Sequence, residues 1–117
     1  MNRKQTQPLS ITLLRSEPLD GAALAEALDT SGLLFPLLQA GMVNGYFADK
    51  TSAHVMPLRC EEDESGFTLR LDIQFQSQMA GCACDDDPTP QQALTEFMRC
   101  TLTFNREGWL ETAAIKD

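Results

Sequence analysis

The chain contains one histidine, one tryptophan and one tyrosine, and only nine basic residues stand against seventeen acidic ones. The resulting net charge of −8 opposes binding to phosphate backbones and anionic membrane surfaces, so neither nucleic acid nor membrane is expected as a partner. No apolar run approaches the ~20 residues that span a bilayer. Leu9 to Leu14 is interrupted by Ser10 and Thr12, so the positively charged start is followed by no continuous signal-peptide core. A soluble, cytoplasmic protein with four reduced cysteines is the expectation.

Catalytic signatures are equally scarce. There is no Ser-centred elbow, no His-Glu-x-x-His, no phosphate-cradling glycine run and no dinucleotide fingerprint. His54 has no acidic or nucleophilic neighbour in sequence and reads as a half-buried packing residue, so a non-enzymatic role is favoured. The paired Cys-x-x-Cys motifs of structural zinc sites are missing. Neither Asp85-Asp86-Asp87 nor Glu61-Glu62-Asp63-Glu64 has the alternating ligand spacing of a calcium loop, which leaves both as solvated charge.

What is present centres on residues 67–88. Phe67, Leu69, Leu71, Ile73 and Phe75 alternate with polar residues without a break, the pattern of a strand with one buried side. The strand runs into Gly81-Cys82-Ala83-Cys84-Asp85-Asp86-Asp87-Pro88, which cannot continue a sheet because Pro lacks a donor and three like charges repel. Cys82 and Cys84 can converge on one soft ion, zinc, Cu(I) or an iron-sulfur cluster, or form a strained, readily reduced disulfide. They equally suit a tight turn in which two small, soft residues pack. The adjacent carboxylates disfavour a thiolate and so a nucleophilic role.

At 117 residues the chain fits one domain able to bury a core without disulfides or metal. Residues 1–8 read as a flexible tail and 9–117 as a single α+β domain. Residues 9–15 read as a first strand, with Leu9, Ile11 and Leu13 on one side. Asp20 is the expected N-cap of a helix over 21–30, and Gly32 follows its end. Pro36 and Gly41 bracket a second helix of one or two turns, and Asn44-Gly45 is a hairpin signal.

Residues 53–60 alternate again, with His54, Met56, Leu58 and Cys60 expected opposite Ile73, Leu71, Leu69 and Phe67, while Pro57 points to an edge strand or a bulge. A short helix over 90–95 and a strand over 96–105 should follow, then a three-residue loop with Gly108 left-handed. That loop would set Leu110, Thr112 and Ala114 beside Phe104, Leu102 and Cys100, leaving Trp109, Ala113 and Ile115 with Phe97 on the opposite side; a two-residue loop would instead set Trp109, Glu111, Ala113 and Ile115 there, at the cost of burying Glu111 without a partner.

The expected architecture is an antiparallel sheet of four to five strands with helices packed on one face, a two-layer sandwich. The expected function is that of a small acidic accessory or interaction domain that binds a protein partner or a second copy through Phe97, Trp109 and Ile115. The alternative is a thiol-based metal-handling or redox protein using Cys82 and Cys84.

Overall fold

The computed structural model describes residues 5–43, 45, 47–78 and 93–116. Among these residues three helices, α1 (Ile11–Leu14), α2 (Gly21–Thr30) and α3 (Leu34–Gly41), precede four strands: β1 (Phe47–Asp63), β2 (Gly66–Gln78), β3 (Ala93–Asn105) and β4 (Leu110–Lys116). The strands form an antiparallel meander in the order β1-β2-β3-β4, so the fold is α+β.

The helix ends follow local chemistry. Asp20 Oδ1 accepts from the Ala23 amide at 3.1 Å, as its spacing predicts, and Leu24 and Leu28 are fully buried. Gly32, at φ 84°, lets the Gly32 and Leu33 amides return to the carbonyls of Asp29 and Leu28, which closes α2 with a Schellman motif. Pro36 sits in the first turn of α3, where its missing N–H costs nothing. Gly41, expected as the stop, is instead the last helical residue and is buried, because a Cβ there would lie 2.7 Å from Met98 Sδ.

Residues 9–15 are not a strand. Ser10 caps the single turn α1 by accepting from the Leu13 amide at 3.2 Å, and the Leu9 amide donates to the Gly108 carbonyl at 2.9 Å. Seven residues are too few for periodicity to separate a strand from a helical turn, and the cap decides. Nor are residues 5–8 a free tail. Gln5 is buried, donating through its side-chain amide to the Gly108 carbonyl and accepting from the Leu110 amide at 2.8 Å.

One side of the sheet is buried and the other faces solvent. Phe67, Leu69, Leu71, Ile73 and Phe75 of β2 and Met98, Cys100, Leu102 and Phe104 of β3 share a single cluster with Leu24, Leu28, Leu34 and Leu38 of the helices. Arg70, Gln74 and Gln76 of β2 and Thr95, Phe97 and Arg99 of β3 are exposed on the other side. The β2–β3 register runs without interruption from Gly66↔Asn105 to Gln78↔Ala93.

The β1–β2 register departs from the alternation. Val55 stands opposite Ile73, Pro57 opposite Leu71 and Cys60 opposite Leu69, so His54 and Met56 lie on the solvent side and Val55 fills the core. An extra residue at Leu58, next to Pro57, returns Cys60 to the core side. The expected pairing assumed unbroken alternation, which a bulge reverses. A second irregularity between Asp49 and His54 takes the polar run 50–53 into β1.

Two further departures follow the same rule. Residues 93–95, expected at the end of a helix, open β3, while 90–92 lie outside the described residues. Gly108 is left-handed at φ 97°, and Leu110 pairs with Phe104 as the three-residue loop requires. A bulge then leaves Glu111 unpaired and exposed, so Ala113 and Ile115 stand opposite Leu102 and Cys100 in place of Thr112 and Ala114. Met42 and Val43 are not in a strand, and Asn44 and Tyr46 of the expected hairpin lie outside the described residues.

Candidate functional site

Three regions hold the polar chemistry of the described residues. The first is the closed end of the core, where Glu96 is only 2% exposed. Its carboxylate accepts from the Ser77 hydroxyl at 2.6 Å and from the Val43 and Gly45 amides at 2.9 and 3.0 Å, tying the segment after α3 to β2 and β3. Gln39 Oε1 completes this end by accepting from the Ala48 amide at 2.7 Å. Burying a carboxylate is tolerable only with such donors, which makes Glu96 a structural anchor. It falls in the strand expected over 96–105 and shares the parity of Met98, Cys100 and Leu102, a signal for burial that the sequence already carried.

The second region is the solvent side of the sheet. Arg99 grips Asp72 with two hydrogen bonds of 2.7 and 3.0 Å across β2 and β3, and these bonds hold the Asp72 carboxyl below its ordinary range. Phe97 stands opposite Gln74, which is opposite His54 in the next strand. His54 lines a depression of about 300 Å³ with Ser52, Gln74, Gln76 and Thr95, and among the described residues no carboxylate or thiol lines it.

The third region is a cleft of about 930 Å³ between residues 14–19 and 57–62. Arg15 spans it, bound to Glu62 by two hydrogen bonds of 3.0 and 2.7 Å and lying 5.7 Å over the Phe67 ring. These bonds lower the Glu62 carboxyl and raise the Arg15 guanidinium. Arg106 reaches Glu62 from the other hairpin at 3.7 Å. Asp63 accepts from the Ser65 hydroxyl and from the amides of Ser65 and Gly66, which bends the two-residue turn below the cleft.

The cysteines divide between described and undescribed residues. Cys82 and Cys84 lie outside the described residues. Cys100 is buried, which pushes its thiol up to about 12, with the Asp72 charge adding to the effect. Burial raises the half-buried Cys60 thiol as well, helped by Glu62 and Glu61. Both shifts keep these thiols protonated near neutral pH, which disfavours nucleophilic chemistry at either. Among the described residues no group of three His, Cys, Asp or Glu side chains could hold a metal ion.

The expected contact residues do not share one surface. Phe97 is 50% exposed on the solvent side, Trp109 is 37% exposed beside the β3–β4 turn, and Ile115 packs against the core. Phe97 and Phe104 are seven residues apart on β3, so about 23 Å of strand separates Phe97 from the end where Trp109 sits. Phe47, missed in the sequence, is 58% exposed and stands opposite Gln78, on the same side as Phe97. Among the described residues no single helix is long and apolar enough to cross a membrane. No protein-family model, curated protein or solved structure matches the chain.

Proposed function

We propose that the chain is a small acidic accessory domain of the cytosol that binds a protein partner. It is read as a two-layer sandwich, with the helices on one face of the sheet and the opposite side left open for contact. The support is the solvent side itself, where Phe47 and Phe97 are 58% and 50% exposed. Around them lie Gln74, Gln76, Gln78 and Thr95, neutral side chains that lose little on desolvation compared with charges. Exposed aromatic side chains on such a surface are the anchors that protein interfaces favour. The net charge of −8 disfavours a second copy as the occupant and favours a basic partner.

The test is affinity capture with the purified chain, compared with a Phe47→Ser, Phe97→Ser double variant of unchanged unfolding midpoint. A stoichiometric protein retained by the parent chain and lost by the variant is the expected result. A monomer by light scattering that retains nothing, or retention indifferent to both substitutions, would remove this function.

A further inference from the structure

We infer that the cleft beside the free edge of β1 is a slot for an extended, apolar and basic peptide segment of a partner protein, added to the sheet as a fifth strand over residues 59–63. This rests on the chain being an interaction domain and assigns it a second surface, distinct from the solvent side.

Backbone geometry comes first. Among the described residues β1 pairs with no strand other than β2, and residues 59–63 keep regular register with residues 70–66. Alternate N–H and C=O groups along the other edge therefore point away from the sheet at strand spacing. Among the described residues no backbone hydrogen bond joins 57–62 to 15–19 across the cleft. Cleft-lining residues come from both sides of the strand, Pro57 and Cys60 on the core side and Arg59 and Glu61 on the solvent side, so the cleft runs along the edge itself. A row of alternating donors and acceptors fits another extended backbone, and neither a helix nor a compact small molecule offers the matching row.

Side chains then define the occupant. Leu58, thrown out by the bulge, is 49% exposed and lines the cleft with Leu19. Apolar groups at alternate positions of an added strand would cover both. Arg15 and Arg59 are engaged by Glu62 and Glu61, which leaves Glu17 as the cleft carboxylate with no ion pair among the described residues. A lysine or arginine of the segment answers Glu17, and the charge of −8 draws such a segment in. A second copy would bring the same negative charge. Pro57 and the bulge stop pairing from spreading up β1, limiting the slot to a few residues and guarding the edge against indiscriminate association.

The experiment uses a displayed library of random twelve-residue peptides selected on the purified full chain, with the selected sequences resynthesised. The expected peptides alternate apolar and polar residues, carry a basic residue, and slow amide exchange at 59–63. N-methylation along such a peptide should lower affinity ten-fold or more at every second position and leave the positions between nearly unchanged. Leu58→Ser should weaken binding at least ten-fold and Glu17→Gln a few-fold with a shallower salt dependence, whereas His54→Ala should have no effect. Selected peptides that protect the solvent side around Phe97, or an N-methyl scan without period two, would overturn the slot while leaving the interaction domain standing. Failure to select any peptide would also overturn the slot, whereas loss of the interaction domain is read separately from the capture experiment.

Discussion

The two hairpins that share β2 were made under different constraints. Between β2 and β3 thirteen consecutive residue pairs keep one register, and the buried side of both strands is apolar from Phe67 and Phe104 to Ile73 and Met98. Between β1 and β2 the register breaks twice, and the core-side positions of β1 change parity from Ala48 to Val55 and again to Cys60. A central strand is held on both sides by hydrogen bonds and below by the core, so a slip would expose every apolar side chain at once. An edge strand has one partner and can absorb extra residues as bulges. The consequence is that β1 carries the cleft, the exposed leucine and the unpaired backbone, while β2 and β3 supply the rigid floor.

That contrast can be broken most sharply in the core. Leu102→Ala should destabilise the protein by about 2–5 kcal/mol in denaturant unfolding, as expected for a fully buried leucine, and a loss under about 1 kcal/mol would mean that the β2–β3 layer is loosely packed. Next comes the anchor at the closed end of the core. Glu96→Ala leaves the Ser77 hydroxyl and two amides without their acceptor and should cost roughly 2–4 kcal/mol, with Glu96→Gln retaining part of the stability. Equal losses for both substitutions would show that the charge, and not the acceptor geometry, matters there.

A smaller effect separates the two sides of β1. Val55→Ala should cost about 1–2 kcal/mol for the two buried methyl groups removed. Its exposed neighbour His54→Ala should stay within about 0.5 kcal/mol. Reversal of that order would restore the uninterrupted alternation and remove the bulge at Leu58.

The weakest expected signal belongs to the solvent side. Asp72 is held below its ordinary pKa by Arg99, so the pair contributes stability that is fully present above the unfolded value of about 4. That contribution fades as pH falls through the lower folded value. The stability difference between the parent chain and Asp72→Asn should therefore be about 0.5–1 kcal/mol at neutral pH, flat down to about pH 5, and lost in acid. A difference that grows on acidification would contradict the pairing.

Much of this architecture was legible before any coordinates. The β2 strand, the Asp20 cap, the acidic turn into Gly66 and the left-handed Gly108 all rest on chemistry within a few residues, and the structure follows them. Pro57 likewise marked an edge strand or a bulge, and β1 is both, whereas the short α1, the bulge at Glu111 and the facing of β4 were not legible. Whether residues 9–15 form a strand or a turn of helix depends on Ser10 capping the turn three residues on, and on Leu9 docking against Gly108, a contact with a distant part of the chain. The candidate contact surface was misread for the same reason. Once Glu111 is left out of the β3–β4 ladder, Ile115 turns inward and its place beside Phe97 is lost, while Phe47 joins Phe97 from another strand.

The linear order of residues by itself settled where the central strand, the main helix and the tight turns lie, because alternation, caps and left-handed glycines are short-range effects. Only the tertiary structure decided which side of β1 and β4 meets the core, since one extra residue at a bulge inverts the pattern and the gain that selects it comes from packing against other strands. The cleft, the exposed Leu58 and the buried Glu96 all descend from those long-range choices.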